Sequence, residues 1–283
     1  LPPFFDHAFR IRYTKREETR TIDEIQHPSV RECLKYMKVE QGIELIHTSD
    51  IPAMSGIGSS SAFTVGFLHA LNALQGRMVN KRKLALDAIH VEQDLIRESV
   101  GSQDQGAAAF GGLNTIEFGG SEGILVRPVP VQAEKLQHLQ DSLLFFFTGF
   151  SRLASEIAQE QIRTISGKLR ELRAMREMVN EAVGILNGRQ DAMNNFGRLL
   201  DESWKLKRQL SRSVTNSQID AIYDAARKAG ALGGKLCGAG GGGFILFFVP
   251  PERRAAVREA LRELLWVPFR FENLGSIVVY YAE

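Results

Sequence analysis

The chain is predicted to fold as an α+β protein of two lobes with a cleft between them, and three observations carry that reading. A short apolar strand, a glycine-serine loop and a helix follow one another across residues 40–74. A long block with Glu, Arg, Leu and Met at helical spacing fills residues 151–211. The last third reads as helix, glycine-rich turn, strand, helix and two strands, the order of a ferredoxin-like C-terminal half. The expected division is an N-terminal α/β lobe over residues 1–145 and a C-terminal lobe over 146–283.

Composition supports a globular chain with a substantial core. Of 283 residues, 44% are hydrophobic and 24% charged, which excludes disordered and fibrous classes. The formal net charge is +2, with Lys and Arg dispersed, so the expected partner is a small molecule rather than nucleic acid or a membrane surface. A homodimer is compatible with this. Cys33 and Cys237 lack metal-ligand spacing, which argues against a disulfide framework or zinc site and suits a cytoplasmic setting. The longest apolar runs, such as residues 244–249, fall far short of the ~18 residues a membrane helix needs, and no secretory leader is expected. The sequence opens Leu1-Pro-Pro without Met, so a preceding segment is expected.

Taken in order, residues 9–13 alternate with period two and predict a strand, and Val30, Cys33, Leu34 and Met37 predict a helix over 29–37. Residues 40–48 give a strand that delivers the chain into Pro52-Ala-Met-Ser-Gly-Ile-Gly-Ser-Ser-Ser-Ala62 and the helix beyond. Asn80 caps a helix through 83–96. A strand pair spans 113–118 and 123–129, and 141–147 is a buried strand. The block 151–211 is expected to break near Gly188 and Gly197. Asn216 caps a helix over 217–228 that Gly230 stops. A strand at 244–249, a helix opened by Pro250-Pro251 and running to Leu265, and strands at 269–272 and 276–281 complete the chain.

Three motifs bear on chemistry. Gly56 and Gly58 permit a tight turn and close approach of backbone to a ligand, and Ser59, Ser60 and Ser61 stand where a helix begins. First-turn N–H groups and the positive end of the helix dipole make this an anion site, and serine hydroxyls add neutral donors and an oxygen ligand for Mg²⁺. The same pattern also describes a flexible turn with an ordinary serine cap. Residues 238–243 satisfy G-x-G-x-x-G formally, but a helix precedes and a strand follows, so the dinucleotide reading fails. A P-loop is absent as well, because Gly234-Lys235 is followed by Leu236 and Ala229 stands where the first glycine belongs. What remains is a second place where glycines allow close backbone approach. Asp104, within Gly101-Ser-Gln-Asp-Gln-Gly106, is suited to accept a proton or orient a hydroxyl, though a lone loop Asp also serves as a turn residue.

Together these motifs resemble the GHMP small-molecule kinases. Residues 52–62 resemble the phosphate loop P-x-x-x-G-L-G-S-S-A, residues 235–244 the C-terminal glycine motif, and residues 101–105 the segment holding the catalytic aspartate. A narrower resemblance, to the heptose 7-phosphate kinases, rests on Leu1-Pro-Pro-Phe-Phe, His27-Pro-Ser-Val-Arg-Glu, Phe110-Gly-Gly-Leu-Asn and Phe147-Thr-Gly-Phe-Ser-Arg-Leu-Ala-Ser-Glu. In that group a G-G-G-T-D sugar-binding motif precedes Leu-Pro-Pro and a longer stretch separates Phe5 from Asp6, so further residues are expected at both places.

The resemblance implies the GHMP kinase fold, ATP and Mg²⁺ as cofactors, and phosphorylation of the anomeric hydroxyl of D-glycero-D-manno-heptose 7-phosphate. An anomeric kinase of an unphosphorylated sugar and a non-catalytic sugar and ATP sensor are the alternatives. By the same resemblance Ser55, Gly56, Ile57, Gly58, Ser59, Ser60 and Ser61 cradle the nucleotide phosphates, and Ser60 ligates Mg²⁺. Glu92, twelve residues before Asp104, helps to hold the metal, or is an exposed helix carboxylate. Asp104 takes or orients the hydroxyl proton. Gly238, Ala239, Gly240 and Gly241, with Gly242, close over the transferring group, and Arg152 or Lys235 meets the substrate phosphate; either cation also fits a surface or helix-end role.

Overall fold

The computed structural model describes residues 6–51, 55–121, 123–150, 154–188 and 192–281. The N-terminal part opens with β1 (Phe9–Arg12), β2 (Arg16–Thr19), α1 (Pro28–Tyr36) and β3 (Glu44–Ile46). β1 is central, antiparallel to β2 and parallel to β3. Helix α1 forms where expected: the His27 side chain accepts from the Val30 N–H, Pro28 occupies the first turn, and Val30, Cys33 and Leu34 are buried. Helix α2 (Ser59–Leu74) follows the glycine-serine loop, and α3 (Lys81–His90) is capped by Asn80 through Lys83 N–H. The chain then widens into one π-type turn, Val91–Leu95, before α4 (Gln103–Phe110) and the hairpin β4 (Asn114–Phe118) and β5 (Ile124–Pro128). Phe9, Ile11, Val30, Leu34, Val65, Leu68, Leu84, Val91 and Ile124 meet in one core. Each such side chain contributes about 1.5–3 kcal/mol by leaving water.

The C-terminal part is built on a four-stranded antiparallel sheet. Its elements are α5 (Ala133–Ser142), β6 (Leu143–Phe147), α6 (Ala154–Thr164), α7 (Leu169–Asn187), α8 (Met193–Arg208), α9 (Ser217–Ala229), β7 (Gly233–Leu236), β8 (Phe244–Phe248), α10 (Arg254–Ala260) and β9 (Leu265–Trp266). The spatial order is β7-β8-β6-β9, with every neighbouring pair antiparallel. That is the order of a split βαβ, ferredoxin-like sheet. β6 straddles residues 145 and 146 and pairs with both β8 and β9. Alternate residues sort into two clusters, Leu144, Phe146, Ile245 and Phe247 in one and Leu143 and Phe248 in the other.

Several expectations are corrected. Residues 269–272 and 276–281 form no strand among the described residues; the fourth strand is β9, two residues long. The tail is apolar and β-branched, as a strand would be, yet Val279 is 85% exposed, and β-propensity without a paired edge does not make a strand. The helix after Pro250 is a 3-10 turn followed by α10, which ends at Ala260. Asp141 and Ser142 close α5, so β6 starts only at Leu143. Gly197 does not break the helical block: α8 runs through it, and a Cβ there would lie 2.6 Å from Phe248 Cδ1. Its missing side chain lets the helix approach the sheet; α7 does stop at Asn187 beside Gly188, and the other break falls at the 3-10 turn Ile165–Lys168. No helix among the described residues is long and apolar enough to cross a membrane.

Candidate active site

Two glycine loops and the start of α4 converge at one place. α2 begins after Gly58, which stands as its N-cap in the left-handed region (φ +74) and has no side chain with which to satisfy the first-turn N–H groups. Those donors, on Ser59, Ser60 and Ser61, and the positive end of a 16-residue helix remain available to an anion. Ser55 is buried, and its hydroxyl oxygen has no hydrogen-bond partner. Ser60 is exposed.

The glycine-rich segment packs on this loop backbone to backbone. A Cβ on Gly238 would lie 2.4 Å from the Gly56 carbonyl oxygen, and one on Gly243 would lie 2.0 Å from that of Ser55. The segment is also anchored from its own lobe. The Gly241 N–H donates to the Val214 carbonyl (2.9 Å) and the Gly243 N–H to that of Phe150 (2.8 Å). The Gln161 amide donates to the Ala239 carbonyl (2.8 Å), and Thr148 Oγ1 donates to Gly243 O (2.8 Å). Gly240 lies against Val214. The strand–glycine turn–strand at β7 and β8 is therefore a clamp, in keeping with the failure of the dinucleotide pattern.

Asp104, in the first turn of α4, lies directly on the glycine-serine loop: a Cβ on Gly58 would stand 2.8 Å from its Cγ and 3.0 Å from Oδ2. Burial raises its carboxyl above the ordinary range, opposed by the positive charge of Lys207. A half-buried carboxylate with a raised pKa, seated between an anion loop and a clamp, is placed to accept a proton.

Glu92 is fully buried, so the exposed-helix alternative does not hold. Its Oε2 accepts from Ser61 Oγ at 2.8 Å and from the Gln105 amide, while Oε1 has no partner. The serine that meets Glu92 is thus Ser61, one residue beyond Ser60. Lys235 projects from β7, half-buried, near Lys207 and Cys237. Arg152 lies outside the described residues. Lys207 and the Ser61–Glu92–Gln105 network are absent from the sequence reading. Lys207 closes an amphipathic helix and reads there as a surface charge, and no local pattern reports a contact across about 30 residues.

Family profiles match both halves of this arrangement. The GHMP kinases N terminal domain matches residues 27–112, spanning the phosphate loop, Glu92 and Asp104, and the GHMP kinases C terminal domain matches 149–265, spanning the clamp. The chain belongs to the GHMP kinase family. Among relatives, it is 32% identical over 221 residues to a D-glycero-alpha-D-manno-heptose 7-phosphate kinase of Campylobacter jejuni, covering 77% of this chain and 65% of that protein. It is 30% identical over 250 residues to the L-fucokinase/L-fucose-1-P guanylyltransferase of Bacteroides fragilis, covering 85% of this chain and 25% of that protein. The chain therefore spans less than two thirds of either relative. In fold it matches a D-glycero-D-manno-heptose 1-phosphate kinase from Bacteroides thetaiotaomicron with a TM-score of 0.73 at 23% identity, over 96% of this chain and 83% of that one.

The family implies nucleotide phosphates, and the resemblance implies Mg²⁺ with them; the residues present fit both. The open N-terminus of α2 and the orphaned Ser55 hydroxyl suit phosphate oxygens. No group of three or more His, Cys, Asp or Glu that could hold a metal occurs among the described residues. Mg²⁺ does not require one, since it takes one or two protein oxygens and completes its shell with phosphates and water. The unpartnered Glu92 Oε1 would be such an oxygen.

Proposed function

We propose that this chain transfers the γ-phosphoryl group of ATP to the anomeric hydroxyl of D-glycero-D-manno-heptose 7-phosphate, giving the 1,7-bisphosphate and ADP. The observation that carries the reading is the seating of Asp104 on Gly58, which sets a proton acceptor against the loop that would hold the nucleotide. The similarity to the Campylobacter heptose 7-phosphate kinase supports this choice of acceptor.

In this reading the first-turn N–H groups of α2 and the hydroxyls of Ser55, Ser59 and Ser60 bind the nucleotide phosphates. Mg²⁺, held through Ser60 or Ser61 and Glu92, would neutralise charge on those phosphates. Asp104 takes the proton as the sugar oxygen bonds to phosphorus and the bond to the ADP oxygen breaks. The 238–242 backbone lies over the transferring group, and Lys235 and Arg152 meet the 7-phosphate. Phosphoryl transfer has a loose transition state, so positioning and charge stabilisation carry most of the rate.

Phosphorus NMR of products formed from Mg-ATP with heptose 7-phosphate, mannose, galactose and fucose tests this. A new anomeric phosphate on the heptose 7-phosphate alone supports it. Turnover of fucose or galactose alone keeps the kinase and removes the 7-phosphate site, an outcome the fucokinase similarity makes worth including. Nucleotide binding with no turnover in the panel favours a sensor.

A further inference from the structure

Helix α8 is pressed close to β7: a Cβ on Gly233 would lie 2.0 Å from the Gly197 carbonyl oxygen. That docking carries Lys207, in the last turn of α8, to the point where β7 gives way to the glycine clamp. Its ammonium donates to the carbonyls of Leu236 (3.1 Å) and Gly238 (2.5 Å). Gly238 is the residue that meets Gly56 of the phosphate loop. One cation thus fastens the clamp where the two loops touch. An ammonium has three N–H donors, and the two carbonyls occupy two of them.

The groups that act on Lys207 are Lys235 from β7, Cys237 just beyond it and Asp104 from α4. Burial, then repulsion from Lys235, bring the Lys207 pKa down to about 7, against the opposing pull of Cys237 and Asp104. Two lysines this close repel one another in the free protein, and an entering polyanion relieves the repulsion. A lysine serving only to satisfy two carbonyls gains nothing from the second cation.

We propose that Lys207 is a positioning residue for phosphoryl transfer, its ammonium holding the 236–238 backbone against the phosphate loop and setting a positive charge opposite Asp104. This rests on the kinase reading above.

The test uses Lys207→Met and Lys207→Arg in the full chain. The first readout is hydrogen exchange of the ligand-free protein over residues 236–243, which needs no substrate. Loss of a charged donor should speed exchange there about 10-fold or more in Lys207→Met, with Lys207→Arg close to wild type. The second is the pH dependence of kcat/KM on the sugar that wild type accepts. Lys207→Met should lower kcat about 10- to 100-fold and move the acid limb upward, because Asp104 loses its opposing charge. Lys207→Arg, which stays charged, should carry activity to higher pH than wild type. Unchanged loop exchange in Lys207→Met overturns the inference alone. So does an acid limb that stays in place, since a purely structural tie would not move it. A wild type that phosphorylates no sugar overturns the kinase reading, and with it the role of Lys207 in transfer.

Discussion

Replacing Gly238 by Ala isolates what the contact between the two glycine loops is worth. The added Cβ would lie 2.4 Å from the Gly56 carbonyl oxygen, about 1 Å closer than ordinary van der Waals contact, and the obstacle is backbone that cannot rotate away. Gly238 itself is exposed, so the methyl group disrupts no core. The left-handed φ of +63 adds about 1–2 kcal/mol of its own for an L residue. Gly120, in the β4–β5 turn, has a similar φ of +69 and nothing within 4 Å, so Gly120→Ala carries the backbone strain without the collision. In a chain of this size about 1–2 kcal/mol lowers Tm by only a few degrees, and Gly120→Ala should show that loss with unchanged kinetics. Gly238→Ala must also push the clamp and the phosphate loop apart by roughly 1 Å. Misplacement on that scale costs about 10²-fold in rate, or about 2.7 kcal/mol of barrier. Thermal melts and steady-state kcat/KM on purified variants measure both. A Gly238→Ala variant with kcat/KM within threefold of Gly120→Ala would refute the claim that loop-to-loop contact sets the reacting geometry.

Asp104→Asn should lower kcat about 10²- to 10⁴-fold in the product assay with little change in nucleotide affinity, because the acceptor of the hydroxyl proton is gone. The same change should raise Tm at neutral pH. A carboxyl whose folded pKa is raised loses stability as pH climbs from its unfolded value to its folded one and stays at that cost above it, a cost a neutral Asn does not carry; equal Tm values at pH 7 would count against this. For wild type, the acid limb of kcat/KM should lie above the ordinary Asp pKa of 3.8 and vanish in Asp104→Asn. Ser61→Ala leaves the buried Glu92 with one donor in place of two, which should cost about 1–3 kcal/mol in urea unfolding.

The parts legible in the sequence are those whose signal is local. Asn80 and Asn216 announce their helices because an N-cap acts within three residues, and the clamp is recognisable from its glycines alone. β9 is illegible because two residues carry no periodicity; it exists through pairing with Phe146 and Phe147, more than 100 residues earlier. Gly197 misleads for the converse reason, since its local cost as a helix interruption is outweighed by the close approach it permits to Phe248. In the site, the glycine-serine loop stands out by its residues, and Asp104 through the resemblance of its segment to that of the family. Lys207 and the pairing of Ser61 with Glu92 depend on how helices pack, which no spacing rule contains.

The way the loops meet also separates two tasks. Gly238 against Gly56 and Gly243 against Ser55 are contacts of main chain with main chain, so the frame they form is set by steric exclusion, and in the proposed kinase reading it is indifferent to what the acceptor is. Side chains that distinguish one acceptor from another must then lie around this frame, as Lys235 on β7 does beside the clamp. Such a frame can be kept while its surroundings change, which is how one fold serves several acceptors. It follows that substitutions at Lys235 should alter KM for the acceptor while leaving kcat within a few-fold, whereas substitutions at Gly238 should do the reverse. The opposite pattern would mean that the clamp, rather than its flanking cation, selects the substrate.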